Sequence, residues 1–335
     1  MAGDVPVTDT PVTIDMIDAA AARIKGHALV TLLLSSPFLD AVAGRRVLVK
    51  AECLQHTGSF KYRGARAALS ALPAGTLGVL ACSSGNHAQG VARAAGELGL
   101  EAVILMPADA PRVKLENTRA LGAEVVTYDR ATTDRDALAA ELAQKRGLEL
   151  ILPFDNAEVI AGQGTVGLEI AAQAGVAQAD VLVCCGGGGL TAGIALALDA
   201  RAPGLRVRPV EPEGFDDTAK SLAAGRIIRH PPNAGLCDAI LTQAPGKLTF
   251  PIMQRLCGPG LVVSDAQVLA AMALAQDRLK LVLEPGGAVA LAAALFLPEA
   301  VTGDTVIAVA TGGNVDRKLF IRALQEGETD AHRPA

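Results

Sequence analysis

The chain has 335 residues, which suggests about two domains, and half of them are hydrophobic, so a large buried core is expected. A formal net charge of −5 argues against a nucleic-acid partner, which calls for a basic face, and aromatics at 3% with no tryptophan leave little for stacking on bases. The long apolar runs are all broken by glycine or charge, so no membrane span is expected either.

Residues 1–10 read as loose, 15–24 as a helix and 31–39 as a connection onto the first strand. Strands are expected at 47–51, 78–82, 102–106, 124–128, 149–152, 181–185, 206–210, 260–263 and 305–310. Most are near-continuous apolar runs, as in parallel strands covered on both faces. Helices are expected between them, at 86–98, 111–121, 133–146, 159–174, 191–198 and 265–281. This alternation predicts an α/β protein with doubly wound, parallel-rich sheets. No repeat period is visible, and the polar end of the chain, 327–335, is expected to fray.

Cys53, Cys82, Cys184, Cys185, Cys237 and Cys257 form no C-x-x-C pair, which argues against a zinc site and for small buried hydrophobes. With no secretory leader in the first residues, a reducing cytoplasm is the expected setting.

The stretch Ser59-Phe60-Lys61-Tyr62-Arg63-Gly64-Ala65 organises the rest. Ala65, Ala67, Ala68, Leu69 and Leu72 recur at helical spacing, which puts Lys61 near the first turn of a helix. Unpaired backbone N–H groups there create a positive field. With Arg63 close by, that field is expected to disfavour the ammonium and lower the lysine pKa. A lysine that loses its proton can attack a carbonyl and form a Schiff base. The plain alternative is a surface lysine lying along its own apolar stem.

Further along, Ser83-Ser84-Gly85-Asn86-His87 joins a strand to a helix, where hydroxyls, an amide and exposed N–H groups suit a carboxylate or phosphate. A simple helix cap explains one of these residues but not all five together. Gly186, Gly187, Gly188, Gly189 and Leu190 follow the next strand end, and glycines there let backbone N–H groups close around a phosphate. Gly187, Gly189 and Ala192, with Glu211 beyond them, also fit the dinucleotide fingerprint of a nicotinamide enzyme. Glu211, Phe215, Asp216 and Asp217 read as an acidic loop, either solvated or offering oxygen ligands to Mg²⁺ or Ca²⁺. Glu284-Pro285-Gly286-Gly287 and Thr311-Gly312-Gly313-Asn314 occupy turn and strand-end positions, where α/β proteins collect ligands.

Taken together, and in this order, these motifs resemble the pyridoxal-phosphate enzymes of the tryptophan-synthase-β fold, in particular the serine/threonine dehydratase and serine racemase branch. The run Ile160-Ala161-Gly162-Gln163-Gly164-Thr165 adds to the likeness. The nicotinamide reading leaves the first two motifs without a role. The resemblance implies two domains, 1–77 with 156–326 and an inserted 78–155, with the active-site cleft between them. It implies that Lys61 carries pyridoxal 5′-phosphate covalently, that Phe60 packs beside the ring and that Asn86 bonds the phenolic oxygen. Gly186 to Leu190 would hold the phosphate, Thr311 would face the pyridine nitrogen, and Glu284 would belong to the same cofactor shell. Ser83, Ser84, Gly85, Asn86 and His87 would receive the substrate carboxylate. Ser84 would be a second acid/base on the opposite face, which keeps racemisation open. Glu211, the Phe215 carbonyl and Asp217 would hold a divalent cation. The implied reaction is dehydration of L-serine or L-threonine to a 2-oxo acid and ammonia, with 3-hydroxyaspartate as an alternative substrate and a homodimer as the assembly. The branch more often carries Ser or Cys where Thr311 stands. No regulatory segment follows 320–324, so feedback inhibition is not expected.

Overall fold

The computed structural model describes residues 12–110, 112–129, 131–231 and 234–330, so residues 1–10, expected to be loose, lie outside the described residues. The first part of the chain forms α1 (Ile14–Ile24), β1 (Leu33–Ser35), α2 (Pro37–Ala43), β2 (Arg46–Lys50) and α3 (Lys61–Ser70). Then come β3 (Gly78–Cys82), α4 (Asn86–Leu98), β4 (Glu101–Pro107), α5 (Arg112–Ala120), β5 (Glu124–Tyr128), α6 (Arg135–Arg146) and β6 (Glu149–Leu150). The chain continues through α7 (Ala157–Gln173), β7 (Ala179–Cys184), α8 (Gly189–Arg201), β8 (Leu205–Pro212), α9 (Asp217–Ala224) and α10 (Thr249–Leu256). It closes with β9 (Leu261–Val263), α11 (Asp265–Leu279), α12 (Pro285–Phe296), β10 (Thr305–Val309) and α13 (Arg317–Asp330).

These strands make two sheets, one of six strands in the order β1-β2-β10-β7-β8-β9 and one of four in the order β5-β4-β3-β6. Every pairing is parallel except β1 on β2. All residues of β7 and β10 are buried, as strands covered by helices on both faces must be. The last strand, β10, inserts between β2 and β7 and so becomes central. The turns after β3, β7 and β10 therefore leave the carboxyl ends of parallel strands, the side on which such sheets bind ligands.

Apolar clusters cover both faces of each sheet. Tyr62, Ala65, Ala68 and Leu69 of α3 pack with Val79, Ala81 and Ile104 in the core of the four-stranded sheet. The helix that begins at Lys61 thus joins the smaller sheet by packing, although it precedes that sheet in the chain.

Two expectations need correcting. The stretch 31–39 is not a plain connection, because it carries the antiparallel edge strand β1 and the start of α2. The tail expected to fray from 327 is helical through Asp330; 331–335 lie outside the described residues. The six cysteines are free thiols, four of them buried, as small hydrophobes should be. Among the described residues no helix is long and apolar enough to cross a membrane.

Candidate active site

A cleft of about 620 Å³ opens where the turns of the two sheets meet. Lys61 reaches into it from the first position of α3. Its Nζ donates to the carbonyl of Pro153 at 2.8 Å and lies 5.0 Å from the centroid of the Phe60 ring. Burial pushes its pKa down to about 8. The direction matches expectation, but the cause does not. Arg63 does not act on Lys61, because its guanidinium is held by Glu52 at 2.8 Å and Glu169 at 2.7 Å. Lys50 adds a second cation to this buried cluster, donating to Glu169 at 2.5 Å and to the carbonyl of Thr31 at 2.9 Å.

The turn Ser83–His87 lines the cleft opposite. Ser83 Oγ accepts from the N–H of Gly85 at 3.2 Å, which shapes the turn ahead of α4. Asn86 donates from Nδ2 to Glu284 Oε1 at 2.6 Å and accepts on Oδ1 from Asn314 Nδ2 at 2.8 Å. His87 is committed differently. Its ring is 2% exposed and its Nε2 sits 2.9 Å from the Ile151 carbonyl. Burial, with the Lys61 charge, pushes its pKa down to about 3. The imidazole is therefore neutral and brings no positive charge to a substrate carboxylate.

Glu284 precedes α12, and burial pushes its pKa up to about 7. A Cβ at Gly312 would collide with its Oε1, so only glycine fits beside it. Thr311 is buried at the end of β10, with its carbonyl accepting from Phe60 N at 3.1 Å and its N–H donating to Gly287 O at 3.3 Å. This one residue joins the lysine turn to α12.

After β7 the chain turns through Gly186, Gly187 and Gly188 into α8, which starts at Gly189. Gly188 has φ +88° and requires glycine, while a Cβ on Gly187 would collide with the Phe154 ring. The Gly187 carbonyl accepts from Thr249 Oγ1 at 2.7 Å and Gly246 N at 3.1 Å, so the turn is braced from behind. Leu190 and Thr191 continue the same wall of the cleft. The N–H groups of the first turn of α8 have no partner within the helix, as an anion site needs. The Oγ1 of Thr242 is buried without a hydrogen-bond partner and lines the cleft 3.4 Å from where a Gly186 Cβ would lie. An amine of lowered pKa, a glycine turn at a helix start and an unpaired hydroxyl fit an aldehyde cofactor bearing a phosphate.

The acidic residues are not on one loop. Glu211 lies on β8 and Asp217 is the first residue of α9, so of the four only Phe215 and Asp216 lie in the connection, residues 213–216. The Glu211 carboxylate accepts from Thr218 N at 2.9 Å and Ala219 N at 2.8 Å, capping α9 from the neighbouring strand. It is 1% exposed and not part of the cleft, so it is in no position to bind a ribose there. Burial and then the charge of Asp217 push Glu211 up to about 8, and burial pushes Asp217 up to about 6. Asp217 Oδ2 is buried without a hydrogen-bond partner. The orphaned Asp217 oxygen leaves room for a further partner beside the Glu211 carboxylate, whose two oxygens already accept from α9. Among the described residues, no group of three or more His, Cys, Asp or Glu side chains forms a metal site.

Sequence reasoning missed Lys114, Arg135, Asp238 and Thr242, all of which line the cleft. Lys114 on α5 pairs with Asp238 across the cleft at 2.7 Å, and Arg135 opens α6 beside Asp136 at 2.7 Å. Lys114 and Arg135 sit on amphipathic helices where a charged residue reads as solvated, so no local pattern singles them out.

A family model described as pyridoxal-phosphate dependent enzyme matches residues 24–312. Over 308 residues the chain is 42% identical to an L-threo-3-hydroxyaspartate ammonia-lyase of a Pseudomonas species, covering 91% of this chain and 96% of that protein. It is 38% identical over 316 residues to serine racemase of Schizosaccharomyces pombe, covering 94% and 98%. Among solved structures it is similar to the threonine deaminase of T.th., at 46% identity and a TM-score of 0.86, covering 91% and 99%. The chain belongs to the pyridoxal-phosphate-dependent enzymes. Its fold is the type II arrangement of parallel-rich sheets, and its relatives place it in the ammonia-lyase and racemase class.

Proposed function

We propose that this enzyme removes the elements of water from a small β-hydroxy amino acid, L-serine or L-threonine, and that the released enamine takes water back up to give a 2-oxo acid and ammonia. The observation that carries the reading is a buried amine, Lys61, of lowered pKa in the same cleft as the Ser83–His87 turn and the glycine turn. Bound pyridoxal phosphate supplies an electron sink for the bond broken at the α-carbon. Lys61 would hold it, and its amine would be the base that takes the α-proton. The Ser83, Ser84 and Gly85 hydroxyls and N–H groups hold the substrate carboxylate, with Asn86 turned to the ring oxygen. His87 acts through Ile151, holding the turn in place. Gly186 to Leu190 grip the phosphate, and Glu284 supports Asn86. Thr311, buried in the cleft wall, would offer the ring nitrogen a neutral hydroxyl in place of a carboxylate, which would favour elimination. Ser84, which also lines the cleft, would be the second acid/base and so would set how much racemisation accompanies elimination. Glu211, the Phe215 carbonyl and Asp217 hold Mg²⁺ or Ca²⁺ at a distance from the chemistry. The segment 78–155 closes on the rest to exclude water, and the assembly is a homodimer.

A second reading rests on the two cations on the cleft wall. Lys114 and Arg135 suit a second carboxylate, that of 3-hydroxyaspartate, once it replaces Asp238 and Asp136 as their partner. Two relatives bear the name L-threo-3-hydroxyaspartate ammonia-lyase. A panel of β-hydroxy amino acids, followed for ammonia, 2-oxo acid and enantiomer content, tests both. Arg135→Ala should cost hydroxyaspartate turnover at least tenfold while sparing serine; equal losses on both would remove this second reading. No ammonia from any member of the panel would remove the first.

A further inference from the structure

Asn314 ends the Thr311–Asn314 turn, and nothing above gives its side chain a task. Its amide nitrogen has two N–H bonds and both are committed. One goes to the carbonyl of Thr57 at 2.7 Å, the other to Oδ1 of Asn86 at 2.8 Å. Thr57 is unusual. It has φ +61°, a left-handed conformation that a β-branched residue rarely adopts. Thr57 lies four residues ahead of Lys61, in the turn that delivers it. The turn is tied down further, with Gly313 N donating to Gly58 O at 2.9 Å. A Cβ on Gly58 would stand 2.6 Å from Asn314 Oδ1, so the two segments are in close contact.

The Asn86 amide is symmetrical in shape but not in chemistry. Whichever end faces a donor must be its oxygen. Asn314 presents a donor, so Asn86 Oδ1 turns toward it. Nδ2 then faces Glu284, donating one N–H at 2.6 Å, on a residue that lines the cleft.

We infer that Asn314 is a positioning residue for the cofactor: by donating to both Thr57 and Asn86, it fixes the Asn86 amide with its nitrogen toward the ring and locks it in register with Lys61. Without Asn314, the Asn86 amide is held from the Glu284 side alone and turns more readily, so that its oxygen would face the ring oxygen for part of the time. The inference rests on the reading of this cleft as the cofactor site.

The test is made on purified holoenzyme with Asn314→Ser and Asn314→Asp, each of which removes both N–H donors. The balance between the cofactor's two absorption bands follows hydrogen bonding at its ring oxygen. Both variants should shift that balance in the same direction as Asn86→Ala and weaken cofactor binding about tenfold, the scale of one lost hydrogen bond. In an Asn86→Ala background, Asn314→Ser should then add nothing to the spectral shift. A wild-type band balance in Asn314→Ser, or shifts that add fully in the double variant, would overturn the inference. If Asn314→Asp does not fold, Asn314→Ser decides alone. A wild-type protein with no cofactor band at all would instead remove the reading of the cleft.

Discussion

Lys61 and Pro153 lie 92 residues apart and meet at 2.8 Å, ammonium to backbone carbonyl. A carbonyl offers a hydrogen bond but no countercharge, so desolvation prevails and the pKa falls to about 8. Below that pH the amine is mostly protonated and unreactive; above it, mostly neutral. Capture of pyridoxal phosphate by the cofactor-free protein should therefore speed up about tenfold per pH unit below pH 8 and level off above. Stopped-flow absorbance measures this, and a flat profile would show that this amine does not limit the reaction.

Lys61→Ala should abolish both the visible cofactor band and turnover, because the other lysine lining the cleft, Lys114, is paired with Asp238. The variant should keep wild-type far-UV circular dichroism, since the side chain's one hydrogen bond is to a carbonyl at the edge of the cleft. Turnover in a purified variant would remove the lysine from its assigned role.

Glu211 and Asp217 titrate at about 8 and about 6, above their ordinary values of 4.5 and 3.8. Acids raised in the fold favour it when protonated, so their contribution is full below about pH 4 and is lost as pH rises toward 8. A bound cation reverses this by favouring the ionised pair. Chelated protein should lose melting temperature between pH 5 and pH 8, and Mg²⁺ should restore it at pH 8. Asp217→Asn should be insensitive to Mg²⁺. Calorimetry that finds no Mg²⁺ effect on the unmodified chain would argue against the cation.

Arg63→Ala should destabilise the protein by about 3–5 kcal/mol, because it leaves the buried Glu52 carboxylate without its ion-pair partner and Glu169 with Lys50 alone. Urea unfolding gives the value. The loss should greatly exceed that of Arg112→Ala, whose partner Glu116 is exposed on the same helix. Similar midpoints for the two would mean that the buried cluster adds little.

Much of the architecture was readable because parallel strands covered on both faces leave continuous apolar runs. β3 and β5 fall at the expected bounds, and α4 does too. β1 was not readable, since three residues carry too little pattern. The lysine and glycine motifs were readable because each is a contiguous run with an unusual local requirement. Lys114, Arg135 and Thr242 were not, because the fold brings them together from three distant segments. The Lys61 shift had the expected direction for an unexpected reason, since sequence distance placed Arg63 nearby while the fold gave it to Glu52 and Glu169.

The helix that begins with Lys61 is bedded in the smaller sheet's core, whereas the glycine turn leads into a helix packed on the larger one. A molecule fastened to the amine at one end and to that turn at the other is a strut between two bodies. Loading the enzyme then does more than equip it for chemistry: it limits how far the halves can swing apart, so the empty protein should be the more readily cut by proteases.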